Sequence, residues 1–75
     1  MFDSIIFTNR FRELVYHSDI SLEKLAEEID ISKGFLYNLI KADNTPSAKV
    51  IYKICDYYGV SADWLLGLSD ERERK

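Results

Sequence analysis

Lys33, Gly34, Tyr37, Asn38 and Lys41 stand at i, i+1, i+4, i+5 and i+8, a spacing that gathers them on one face of a helix. The chemistry of such a face is recognition, not reaction. Lysine presents three donors, asparagine a paired donor and acceptor, and tyrosine a hydroxyl on an apolar ring. Glycine leaves a gap through which another molecule can come close to the backbone. Groups suited to covalent chemistry are sparse. The single histidine, His17, has no Ser/Cys/Asp constellation around it, and no Cys/His cluster has metal-ligand spacing. The many carboxylates read as solvated helix faces. No catalytic residue, metal, cofactor or small-molecule ligand is expected, and so small a helical domain offers no pocket of the size enzymes use.

Charge sharpens the picture. The 75-residue chain carries a formal net charge of −3, which by its sum disfavours a polyanionic partner. Within residues 31–54, however, Lys33, Lys41, Lys49 and Lys53 stand against Asp43 alone, a net +3, so the remainder carries −6. The recognition face lies in a basic island. A chain of this length holds one core, with residues 1–68 as the folded domain and 69–75 as a tail too polar to pack. Apolar runs reach only three residues, as at Ile5, Ile6 and Phe7, and no basic-then-apolar leader opens the chain, so a membrane partner is not expected and the cytoplasm is. Cys55, among Ile51, Ile54 and Tyr58, reads as a buried thiol in a reducing compartment.

The elements that position the face follow from caps and apolar period. Asp3 or Ser4 caps a first helix to about residue 18, with Phe7, Phe11, Leu14 and Val15 inward. Ser21 caps a second helix, whose stripe is Leu22, Leu25, Ala26 and Ile29, with Glu23 in its first turn. Ser32 caps a third only three residues after Ile29, so Asp30 and Ile31 must form a very tight turn. In that third helix Leu36, Leu39 and Ile40 face inward, and Phe35 either packs as a half-buried wedge, the preferred reading, or stands exposed. Residues 42–46 read as a loop. Ser47 opens a fourth helix with Val50, Ile51, Ile54, Cys55 and Tyr58 in period, stopped by Gly59; Ser61 opens a fifth, 62–66, anchored by Trp64 and Leu65 and ended by Gly67.

Residues 11–67 resemble the Cro/phage-repressor (Xre-type) helix-turn-helix family. Ser21, Leu22, Leu25 and Ala26 stand where that family has Ser-Gln-x-x-Leu-Ala, and Ile31, Ser32 and Lys33 where it has Val-Ser-Arg. Asn44, Thr45, Pro46 and Ser47 match its x-Asn-Pro-Ser loop, and residues 59–67 resemble its last helix. The resemblance implies an all-α, five-helix, lambda repressor-like bundle in which helices 2 and 3 form the helix-turn-helix and residues 32–41 the recognition helix. Two departures from the pattern stand out. Val15 and Ile40 occupy places where such proteins often pair an arginine with a glutamate, so the two are expected to touch in the core, an apolar pair in place of an ionic one. Leu22 replaces a glutamine that reaches phosphate.

The resemblance assigns roles to the face. Lys33 would donate to guanine O6 and N7 and Asn38 would pair with adenine, while Gly34 permits close approach and Tyr37 meets a thymine methyl or a phosphate. Ser21, Ser32, Lys41, Asn44, Thr45 and Lys49 are the phosphate candidates; Lys53 reads as surface charge. So few cations imply weak binding by one domain, hence a homodimer on an inverted repeat, with Tyr57, Trp64, Leu65 and Leu68 as candidate dimer residues. The function implied is a double-stranded DNA-binding regulator, a repressor. The alternative is a protein-binding module, an antirepressor or adaptor, that uses the acidic second helix.

Overall fold

The computed structural model describes residues 4–41 and 46–73. The expectations for the loop at 42–45, including Asn44 and Thr45, and those for Asp3, Arg74 and Lys75 lie outside the described residues.

Serine caps begin four of the five described helices. α1 spans Ser4–His17, α2 Leu22–Ile29, α3 Lys33–Lys41, α4 Ala48–Tyr58 and α5 Ala62–Leu66. The Ser21 hydroxyl accepts from the Lys24 amide at 3.1 Å, Ser32 from Phe35 at 3.2 Å, Ser47 from Val50 at 3.3 Å, and Ser61 from Asp63 at 3.1 Å. Each bond satisfies an amide that the first turn of a helix leaves open, and each is worth about 1 kcal/mol. α2 stops because Asp30 turns into the left-handed region, φ 56° and ψ 50°. The Ile31 amide then reaches back to the Ala26 carbonyl at 3.1 Å, and α3 starts two residues later. Gly59 and Gly67, at φ 69° and 87°, end α4 and α5 in the same way at no steric cost.

α1 packs against α3 and α5, α2 against α3 and α4, and α4 against α5. The core they enclose contains Phe7, Phe11, Leu25, Leu36, Leu39, Ile54 and Leu65, with Leu14, Val15, Leu22, Ala26, Ile29, Val50, Cys55, Val60 and Trp64 closing around it. Cys55 is a buried free thiol. Ile40, Ile51 and Tyr58 are half-buried against this cluster. No helix among the described residues is long and apolar enough to cross a membrane.

Three expectations need correction. Phe35 is 40% exposed and stands outside the core cluster: it lies at the edge of the stripe formed by Leu36 and Leu39 and is only partly covered. Trp64 and Leu65 are 6% and 0% exposed; their side chains fill the core and have no surface to give a dimer partner. The tail, expected not to pack, folds back as far as Glu73. Ser61 donates its amide to the Arg72 carbonyl at 2.8 Å, and Val60 and Glu73 form an antiparallel bridge. The Arg72 guanidinium lies 5.2 Å from the Trp64 ring centre and 3.7 Å from the Glu13 carboxylate. The Arg10 guanidinium lies 5.1 Å from the same ring and donates to the carbonyls of Trp64 and Ser69. Counting apolar residues cannot reveal a segment held by backbone bonds and guanidinium contacts.

Candidate nucleic-acid interface

α3 is anchored from beneath by polar bonds as well as by Leu36 and Leu39. Thr8, 2% exposed in α1, directs its hydroxyl at the Leu39 carbonyl at 3.4 Å, and the Arg12 Nε donates to the Ile40 carbonyl at 2.6 Å. Both bonds fall on the last turn of α3, where open carbonyls and the negative end of the helix dipole favour a donor, above all a cationic one. Sequence reasoning missed these two residues. The related signal was the apolar pair at 15 and 40: Val15 is buried and Ile40 half-buried, and Arg12, one turn before Val15, supplies the cation from a different position.

The opposite side of α3 faces solvent. Lys33, Gly34, Phe35, Tyr37, Asn38 and Lys41 are all exposed, so the fold brings the expected face together, with Phe35 at its flank. Gly34 is the informative member. A methyl group built on it would meet no atom of the described residues within 4 Å, so the chain's own packing does not require glycine here. A helical glycine costs roughly 0.5–1 kcal/mol relative to alanine, and the gap is kept in spite of that cost.

Tyr37 turns toward α2. Its hydroxyl donates to Glu23 Oε1 at 3.0 Å, so the base-edge or phosphate contact expected of it competes with an internal bond. The Glu23 carboxyl is held below the usual carboxylate range, first by a backbone amide in the first turn of α2, then by Tyr37 and by the charge of Lys33. The Tyr37 phenol is correspondingly raised by its bond to Glu23. A fixed negative charge therefore sits where α2 and α3 meet the solvent.

The phosphate candidates are placed as follows. Ser21 and Ser32 are exposed caps; accepting from an amide leaves each hydroxyl its own proton to donate. Lys41 and Lys49 are exposed at the end of α3 and the start of α4. Lys53 differs: its ammonium reaches the Asp30 carbonyl at 3.4 Å and fastens the end of α2. Leu22 is 6% exposed and packs in the core, so this position makes no outward contact. Of the dimer candidates, Leu68 is 76% and Tyr57 41% exposed, the latter edge-on to Tyr58 at 5.1 Å.

Two short helices, joined by a left-handed residue and set with one buried against the core and the other showing a polar face, have the geometry of a helix-turn-helix. With its side chains an α-helix is about 10–12 Å across, close to the roughly 12 Å width of the DNA major groove, and α3 has nine residues to lie in it. A family model described as helix-turn-helix matches residues 11–65, from the middle of α1 almost to the end of α5. No curated protein and no solved structure matches the chain.

Proposed function

The chain belongs to the helix-turn-helix family of the Cro/phage-repressor type, and from that premise we propose that this DNA-binding domain is a transcriptional repressor, acting as a homodimer on an inverted repeat. Each protomer lays α3 in the major groove. Lys33 donates to guanine and Asn38 pairs with adenine, while Gly34 lets the first turn of α3 approach the base edges, the part of a recognition helix that reads them. Ser21, Ser32, Lys41 and Lys49, with Asn44 and Thr45 from the segment between α3 and α4, bind phosphate and set the register without selecting sequence. Tyr57 and Leu68 are the exposed candidates for the dimer contact.

The observation that carries this reading is Gly34, a glycine in the outward first turn of α3 that no internal contact requires. The test is selection of bound sequences from a random duplex pool at low salt, comparing wild type with a Lys33→Glu, Asn38→Ala double variant. Enrichment of an inverted repeat by wild type alone is expected.

A second reading has its own observation. Glu23, Glu27, Glu28 and Asp30 are all exposed on or beside α2, a surface suited to a basic protein partner, as an antirepressor or adaptor would need. In that case neither protein enriches any sequence, and charge reversal on α2, not on α3, abolishes activity.

A further inference from the structure

Phe35 is a large apolar side chain left 40% exposed in the first turn of α3. On a helix with Leu36 and Leu39 buried, position 35 falls on the flank of the outer face, on the side of Asn38 and away from Tyr37 and Lys33. It forms one wall of an open groove of about 650 Å³, whose apolar surface is completed by Ile31, Pro46 and Val50. Of the residues that line it only Asp30 is charged; Lys33, Lys41 and Lys49 are exposed on α3 and α4 without lining it. An apolar groove beside the polar outer face of α3 suits a ligand that offers an apolar group among hydrogen-bonding edges.

Double-stranded DNA presents one such apolar point in the major groove, the C5-methyl of thymine, and a phenylalanine side chain is among the groups that contact it. We propose that Phe35 is a specificity-determining residue that reads a thymine methyl in each half-site, the methyl seated against the ring at the mouth of the Ile31–Pro46–Val50 groove. The inference rests on the DNA-reading assignment of α3 and adds to it a base identity that neither Lys33 nor Asn38 can supply, because both read hydrogen-bonding edges. Gly34 supports it sterically: the residue before Phe35 adds no side chain to hold the base away. Burying a methyl-sized group corresponds to about a fourfold change in affinity.

The experiment uses the full chain and the duplex that it selects. Each thymine of the half-site is replaced in turn by deoxyuridine, which lacks only the methyl, and affinity is measured for wild type, Phe35→Ala and Phe35→Leu. Unchanged far-ultraviolet circular dichroism of the variants, expected for an exposed position, shows that they fold. The predicted result is one thymine per half-site whose replacement weakens wild type about fourfold and Phe35→Ala hardly at all, with Phe35→Leu in between. Two results would overturn the inference while leaving DNA reading intact: wild type indifferent to every thymine-to-uracil change, or Phe35→Ala as sensitive as wild type. Failure of wild type to select any duplex would overturn the DNA-reading assignment itself, and this inference with it.

Discussion

At the scale of single residues, Glu23 and the four serine caps show what a sequence reveals and what it hides. Ser21, Ser32, Ser47 and Ser61 were legible because a cap is a local bargain between one hydroxyl and an amide two or three residues on. The Glu23–Tyr37 bond spans fourteen residues, and no spacing rule within one helix predicts it. The exposure of Phe35 is hidden for a related reason: it depends on which elements stop short of it. Two predictions belong here. Glu23→Gln removes an ionised carboxylate from the candidate interface and raises affinity for DNA about two- to fivefold at low salt, an advantage that shrinks as salt rises. Because folding lowers the Glu23 pKa, the native state favours the ionised form. The resulting stability is present above the ordinary glutamate range and is lost as pH falls through the lowered folded value. Glu23→Gln should therefore flatten the acid limb of a plot of thermal midpoint against pH. The second prediction sets stability against affinity. Gly34→Ala raises stability by about 0.5–1 kcal/mol in thermal or urea unfolding yet weakens binding to the selected duplex. A glycine kept for no external partner would show the gain alone.

At the scale of elements, the helix-turn-helix was legible almost residue by residue, because Ile29 and the Ser32 cap are only three residues apart and admit little but a left-handed turn. Asp30 makes that turn with a φ of 56°, a conformation that costs a residue with a β-carbon and costs glycine nothing. Asp30→Gly should accordingly leave the turn unchanged and stabilise the fold by up to about 1 kcal/mol, read as an upward shift of the unfolding midpoint. The anchoring of α3 was less legible. An apolar pair at 15 and 40 is what the family resemblance implies, whereas the Arg12 bond to the Ile40 carbonyl depends on where the last turn of α3 meets α1. The consequence for function is rigidity: two polar bonds and two buried leucines hold the helix from beneath, with its outer face turned to solvent.

At the scale of the whole molecule, the order of apolar stripes predicts an all-helical bundle, and the bundle forms around that core. The tail does not follow from the stripes. Residues 69–73 return to Val60, Ser61 and Trp64 through backbone bonds and two guanidiniums stacked near one indole, contacts that register as polarity in a sequence. Ending the chain at residue 68 removes the Arg72 contacts and the Val60–Glu73 bridge, and should cost about 1–2 kcal/mol, or roughly 5–10 °C in the thermal midpoint. A tail that was only solvated would change neither. The net charge of −3 also gains meaning at this scale. Lys33 lies near enough to Glu23 to help lower its pKa and Lys53 reaches the Asp30 carbonyl, so the cations of α3 and α4 adjoin the acidic surface of α2, and modest DNA affinity per domain is the expected result. The most direct test of the central claim is to titrate the isotope-labelled chain with its selected duplex and follow every backbone amide by NMR. The account predicts shifts concentrated at Ser21 and from Ser32 to Lys41, with the start of α4 following; shifts confined to Glu27, Glu28 and the rest of the α2 surface, or none at all, would contradict it.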